Sequence, residues 1–456
     1  MWTAMRFRMP LLGCLILVGF SFGADLSPPL IAEETGKTVR DFGAIGDGVA
    51  DDTAAVLAAV KSQPGDLVFP AGTYKLSQTI EISLAEVGRF SVRGEGAARV
   101  LMSGPGAAFR IVGTHTGTAA PSSFKPGIFE QQNTPLVDNL EIVGKHPDAV
   151  GVQAVGTMQL TVTRLVVSDC LHAVQLIKRN RNVTLSECHF YRNRGIGLFL
   201  DRLNLHQINV VNCHISYNAG GGIVVRDSEL RNLQIGSCDI EGNMGDLSAP
   251  ETANVLIDAT GTSIGEVAIV GCTIQHTHSA ANSANIRILG ESKAVSFTDE
   301  RRHGNITIAD NILSDVQRNI ELVGCRGVTI SGNTIWKGYD RNVLLKDCKS
   351  VVMSGNLLDR NPRYGYGDAK DAKLGVLFDS CQNCTVSGNQ SSGPVYQAAA
   401  WEFRDCDRIH VHGCTVLDYA TQGVLFQETT RSQLEGCMIR DDANENAGDP
   451  VVWENR

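Results

Sequence analysis

Proline, aromatic residues and basic charge are all scarce in this chain. Fourteen prolines stand against 47 glycines, and Phe, Trp and Tyr together make up 6% of 456 residues. Glycine that abundant without proline fits many tight turns better than disorder. Lys and Arg number 40 against 49 Asp and Glu, a formal charge of -9. A general nucleic-acid binder, which carries a basic face, is thereby excluded, while a local basic cleft for an acidic sugar is not. No apolar run after the first 23 residues is long enough to span a bilayer. No Cys-x-x-Cys pair recurs, Cys381-Gln-Asn-Cys384 being the single instance, which argues against a zinc site. What is present is ample core material: 43% apolar and 20% charged residues, the composition of a soluble globular protein. Length alone suggests about three domains.

The first residues read as an export signal. Arg6 and Arg8 precede an apolar run from Pro10 to Phe22, and Ser21-Phe22-Gly23 is a small-x-small cleavage site. Leu11-Leu12-Gly13-Cys14 resembles a lipoprotein box, but most of the apolar run follows Cys14, which speaks against lipidation. The expected domains are a signal over 1–23, a cap with a short helix over 24–64, a repeat region over 65–440 and a tail over 441–456. The expected location is secreted or periplasmic, with no membrane span and an open oligomeric state.

The repeat decides the fold class. Val328-Thr-Ile-Ser-Gly-Asn333 recurs as Val351-Val-Met-Ser-Gly-Asn356 and Cys384-Thr-Val-Ser-Gly-Asn389. The same frame ends on Asn139, Arg164, Cys188, Cys213, Cys238, Cys272, Asn311, Asn333, Asn356, Asn389, Cys414 and Cys437, and eight of the eleven gaps lie between 22 and 25 residues. Each unit holds short alternating apolar stretches and no helical period. One such unit is a coil of a parallel β-solenoid with three short strands, stacked roughly 4.8 Å above the last. Equivalent residues then lie over one another, and Asn at a sharp turn can bond its amide to the Asn above. Cys325, Cys348, Cys381 and Cys406 form a second column. Its residues are expected to be buried thiols, with disulfides as the alternative in an exported protein.

Residues 39–53, Val-Arg-Asp-Phe-Gly-Ala-Ile-Gly-Asp-Gly-Val-Ala-Asp-Asp-Thr, lead into a helix expected over 54–61 and then Gly65-Asp-Leu-Val-Phe-Pro-Ala-Gly-Thr-Tyr74. This segment resembles the N-terminal part of the pectate lyase superfamily, the type shared by rhamnogalacturonase-like, epimerase-like and tailspike proteins. The resemblance implies a right-handed parallel β-helix that handles polysaccharide along one sheet. Asp47, Asp51 and Asp52 are expected to be structural, as helix-capping groups. The catalytic signatures of the relatives are absent. There is no polygalacturonase set and no mannuronan epimerase Asp-Pro-His-Asp. Arg360-Asn-Pro362 opens like the pectate lyase Arg-x-Pro-x-x-Arg, but Gly365 replaces its last Arg.

One strand of each coil is followed easily from Gly197-Leu-Phe-Leu-Asp201 to Ala400-Trp-Glu-Phe-Arg404, with apolar second and fourth positions pointing inward. Its outward fifth column is Asp201, Arg226, Asp258, Leu289, Val323, Lys346, Asp379 and Arg404. The third holds Arg287, Glu321 and Glu402, and the first holds Asn254, Asn285, Asn319 and Asn342. Insertions at 242–253, 276–284, 290–305 and 359–374 would wall a groove across this sheet. They bring His276, His278, Asp299, Glu300, Arg301, Arg302, His303, Tyr364, Tyr366, Asp368 and Lys370. Surface charge ladders and an amide ladder explain the same columns without any function.

Two chemistries suit such a groove. A lyase acting on a uronate polymer needs cations or Ca²⁺ to neutralise the carboxylate, and a base. Arg287, Lys346, Arg404, Arg301 and Arg302 offer charge, with Asp258, Glu321 and Asp379 as Ca²⁺ ligands. A glycoside hydrolase needs two carboxyl groups about 6.5–9.5 Å apart when inverting. Asp201 and Asp258 stand two coils apart, roughly 9.6 Å, but Arg226 between them would keep both ionised. Substrate contacts are expected from Asp201, Arg226, the four asparagines, Arg301, Arg302, Tyr364 and Tyr366. A non-catalytic glycan-binding solenoid is the third reading, and it would favour exposed aromatics. His189, His214 and Asp239 stack on another face, where they read as surface; three such groups could bind a metal, but no fourth is evident.

Overall fold

Each coil contributes three short strands that pair only with the coils before and after, all in parallel. The result is a right-handed parallel β-helix. The structure, a computed structural model, describes residues 36–62, 65–117, 120–293, 298–361 and 370–454; the signal segment lies outside them. Among the described residues no helix is long and apolar enough to cross a membrane.

The first face contains Gly221–Arg226, Ala253–Asp258, Ala284–Leu289 and Ala399–Arg404. The second contains Glu229–Gly236, Ile264–Val270, His303–Ala309, Cys325–Ser331 and Lys349–Ser354, and the third His214–Ser216, Asp239–Glu241 and Thr273–Gln275. Alternation puts Leu198, Leu200, Ile223, Val225, Val255, Ile257, Trp401 and Phe403 into one core that runs the length of the helix. Each fully buried side chain of this kind stabilises the fold by about 1.5–3 kcal/mol.

Two buried ladders hold the corners. Between the second and third faces, the Asn311 amide donates to Asn333 Oδ1 (2.9 Å), Asn333 to Asn356 (2.9 Å) and Asn356 to Asn389 (2.8 Å). Cys188, Cys213, Cys238 and Cys272 extend the column. The left-handed backbone sits one residue earlier than the repeat suggests, at Asn212, Ser237, Asp310, Gly332, Gly355 and Gly388. The Gly of Ser-Gly-Asn supplies the positive φ, which frees Asn to turn inward. For the same reason the frame slips in the early coils. Val166 pairs with His189 and Leu165 with Leu140, so Leu140 and Leu165, not Asn139 and Arg164, continue the column.

All twelve described cysteines are free thiols. Burial pushes the Cys170 thiol up to about 12, so it stays protonated.

The helix Thr53–Ser62 closes the N-terminal end, as expected. Asp52 accepts the Ile45 amide (2.6 Å), Asp51 the Thr53 amide (3.0 Å) and Asp47 the Val49 amide (2.8 Å), which makes all three structural. At the other end Val451–Glu454 pairs with Gln422–Gln427, carrying the solenoid past the expected boundary at 440.

Candidate functional site

The first face registers as the sequence implies. Asp201 pairs with Arg226, Asp258 with Leu289, Val323 with Lys346, and Asp379 with Lys346 and Arg404. Its outer side is nevertheless covered. Arg287 Nη1 donates to Thr252 O (3.1 Å) and Nη2 to Asn282 O, both on inserted loops. Arg287 also pairs with Glu321 (2.7 Å), which takes Arg318 on its other oxygen (2.7 Å). Glu402, fully buried, lies between Arg341 (2.8 Å) and Arg404. Arg287 at 6% and Glu321 at 7% exposure therefore cannot reach a sugar, a correction to their assignment as catalytic groups.

Asn254, Asn285, Asn319 and Asn342 do not face a groove either. They continue a ladder at the corner between the third and first faces that begins with Asn193, Asn218 and Asn243. Asn285 donates to Asn319 (2.8 Å) and Asn319 to Asn342 (3.1 Å), all four being at most 2% exposed. Buried amides satisfied by one another are structural, which corrects the expectation of substrate contact.

Asp201 is buried and accepts Gln175 (3.0 Å) and Arg202 (2.9 Å). Arg226, Asp258 and Asp379 are half-buried at the edge of the first face, and Lys346 and Arg301 are exposed. Tyr364, Tyr366 and Asp368 lie outside the described residues. The Ca²⁺ ligand set does not assemble. Asp258 and Asp379 are separated by four rungs, through Leu289, Val323 and Lys346, or about 19 Å, and Glu321 is held by its two arginines.

The chemistry concentrates around the corner, where the second face begins. Arg181, His206, Arg231, Gly265, Gly304, Arg326 and Lys349 occupy successive rungs of one outward column. The two glycines interrupt the cations and open a hollow of about 340 Å³ lined by Arg231, Glu266, Arg302, His303, Asn305 and Arg326. A Cβ at Gly304 would stand 1.5 Å from the Arg326 carbonyl oxygen, so no side chain fits there. Arg231 is anchored on Ser263 O (2.9 Å) and Arg326 on Glu300 (2.7 Å). Arg302 reaches Asp347 (2.6 Å) and Glu300 (3.1 Å). Burial opposes its charge, yet these two carboxylates raise its pKa overall. Burial, and then Arg231, lower the His303 pKa, which leaves a neutral imidazole at pH 7.

Three comparisons bear on this geometry. The chain matches the family model for a right-handed β-helix region over residues 123–274, and the rhamnogalacturonase A/epimerase, pectate lyase-like model over 37–87. Together with the parallel sheet, these two matches support a pectate lyase-like β-helix protein. A third model, described as periplasmic copper-binding protein, matches this β-helix protein over 238–448. Two mannuronan C5-epimerases of Azotobacter vinelandii are 51% identical over 43 residues, 9% of this chain and 4% of theirs. Among solved structures, a mutant tailspike of E. coli bacteriophage HK620 in complex with a hexasaccharide aligns with TM-score 0.52 and 12% identity, over 91% of this chain and 78% of that one. Tailspike protein 3 of bacteriophage CBA120 aligns with TM-score 0.46 and 13% identity over 91% of this chain, which spans 61% of that one. At 12% identity the HK620 tailspike shares the fold and nothing more.

A second hollow of the β-helix protein, about 420 Å³, opens where the inserted loops meet the first face. Arg318, Tyr339, Asp340, Asp371 and Lys373 line it, and the Tyr339 ring stacks on His278 at 4.0 Å. Its cations and carboxylates balance; in the corner hollow Glu300 and Asp347 hold Arg302 and Arg326, while Arg231 is held on the Ser263 carbonyl oxygen. Reading the first face alone passes over Arg231 and Arg326. Their signal is positional: each member of that column stands seven residues before the Cys or Asn that closes its coil.

Proposed function

We propose that this protein is an exported polysaccharide lyase that acts on a uronic-acid polymer. The observation that carries this reading is the column of cations opened by Gly265 and Gly304 into a hollow beside a neutral histidine. A uronate carboxylate seated among Arg231, Arg302 and Arg326 has its charge neutralised, which acidifies the C5–H next to it. His303 takes that proton. The electron pair of the broken C5–H bond forms the C4=C5 double bond, the C4–O bond breaks, and the departing oxygen takes a proton from the imidazolium. Export is supported by the Arg6–Arg8 start and apolar run, and by the likeness to a family described as periplasmic. The short stretch shared with mannuronan C5-epimerases favours one second reading, because epimerisation begins with the same proton abstraction.

The test is incubation with a panel of uronic-acid polymers in D₂O, following absorbance of the unsaturated product, reducing ends and deuterium at C5. Chromophore and reducing ends should rise together. Arg231→Ala and Arg326→Ala should each lower kcat/KM about 100-fold, and His303→Ala should remove the chromophore. The rate should fall as pH drops through the depressed His303 pKa and stay level above about 6.5. Reducing ends without chromophore would establish hydrolysis instead, and deuterium at C5 with neither would establish epimerisation. No signal on any polymer would leave a binding protein.

A further inference from the structure

The third face carries a cluster that the polysaccharide reading does not use. His189, His214, Asp239 and Thr273 form one outward column, and Tyr191, Ser216, Glu241 and Gln275 the outward column two residues on. Residues two apart on a strand share a side, so Asp239 and Glu241 both project beside His214. His214 Nε2 is 3.5 Å from Asp239 Oδ2 and 3.7 Å from Glu241 Oε1. His276, just past the end of Thr273–Gln275, brings its Nε2 to 3.9 Å from the other Glu241 oxygen. The sequence column of His189, His214 and Asp239 offers three candidate ligands; the fold exchanges His189 for Glu241 and His276. His189 meets the His214 ring edge-on at 5.8 Å.

We propose that His214, Asp239 and Glu241, whose donor atoms all lie within 4.8 Å of one another, bind a divalent transition-metal ion, with His276 beside Glu241 as the fourth side chain. A tetrahedral ion about 2.0–2.1 Å from each donor spaces its ligands roughly 3.3 Å apart, close to the separations around His214. His214 Nε2 and Asp239 Oδ1 are shielded from solvent and form no hydrogen bond, so an ion would satisfy atoms that the protein does not. Gln275 Nε2 donates to Glu241 Oε2 (3.3 Å), orienting that carboxylate from outside the set. The His214, Asp239 and His276 side chains are 35%, 48% and 44% exposed, which gives an ion access. Two imidazoles with two carboxylates select a transition ion over Ca²⁺, which takes six to eight oxygens. The site lies on a different face from the Arg231–Arg326 hollow and does not rest on the lyase reading.

The test uses the tag-free exported chain, stripped with EDTA and titrated with Zn²⁺ by calorimetry, with metal content measured after dialysis. One Zn²⁺ per chain is expected, with a rise in Tm that follows its concentration. His214→Ala and Glu241→Gln should each weaken binding at least tenfold, His189→Ala should not, and Ca²⁺ should give no matching heat. These side chains point outward, so unchanged metal-free melting confirms that the variants fold. Substoichiometric Zn²⁺, affinity unchanged in both ligand variants, or equal binding of Ca²⁺ would overturn the proposal.

Discussion

On the outside of the first face Arg287 lies beneath inserted loops, and two buried carboxylates each meet two arginines: Glu321 takes Arg287 and Arg318, Glu402 takes Arg341 and Arg404. On the second face Arg231 and Arg326 stand in an open column three rungs apart, each anchored at its edge, with a hollow between them. Both faces repeat one side-chain type along the helix axis, and cover decides what the repetition does. Under the loops an unpaired charge would be too costly, so opposite charges are matched and held. In the open a column of like charge repels itself, and glycine gaps and flanking carboxylates relieve it while leaving positive charge for an anion.

The comparison breaks first at Glu402. Glu402→Ala leaves Arg341 and Arg404 without their buried counter-charge, and should destabilise the protein by about 3–5 kcal/mol, read as a lower midpoint in urea. A loss below about 1 kcal/mol would mean that water reaches the pair and the first face is not truly covered. The next largest effect is in acid. Burial pushes His172 down to about 4, where its Nδ1 accepts the Ile196 amide (3.1 Å) and its ring packs on Phe199. The unfolded imidazole takes its proton near 6.5 and the folded one does not until about 4. Stability from this residue is therefore complete above about 6.5 and falls by roughly 2–3 kcal/mol as pH drops to 4. His172→Phe should flatten melting temperature against pH across that window.

The periodic part of this structure was legible in the sequence. The Asn333–Asn356–Asn389 spacing defines the coil, and inward Leu198 and Leu200 follow from alternation. The Asp201–Arg226 pairing follows from the coil length. What periodicity cannot give is where non-repeating segments go. Arg287 reads as an outward groove residue until Thr252 and Asn282, from two separate insertions, close over it. The Asn254–Asn342 column reads equally as a binding row or an amide ladder, and only burial separates the two. The cation column is periodic in the sequence. Arg181, His206, Arg231, Arg326 and Lys349 share the frame of the Cys/Asn repeat, and the hollow follows from the two glycines between them.

The smallest effect sharpens the same contrast. Arg99 pairs with Glu141 across adjacent coils at 2.7 Å, the same distance as Arg287–Glu321, and their registers face directly. Geometry alone would make the two pairs equal. The Arg99 side chain is 48% and the Glu141 side chain 27% exposed, against 7% and 10% for the side chains of the covered pair. Water solvates and screens the Arg99 pair, so most of its attraction is already available to the unfolded chain. Arg99→Ala should therefore cost at most about 1 kcal/mol, and less as salt is raised. Measuring it beside Glu402→Ala at low and high salt isolates cover as the variable, because only the exposed pair should respond. A salt-insensitive loss at Arg99 as large as that at Glu402 would show that ion pairs along this helix depend on strand register rather than on the loops above them.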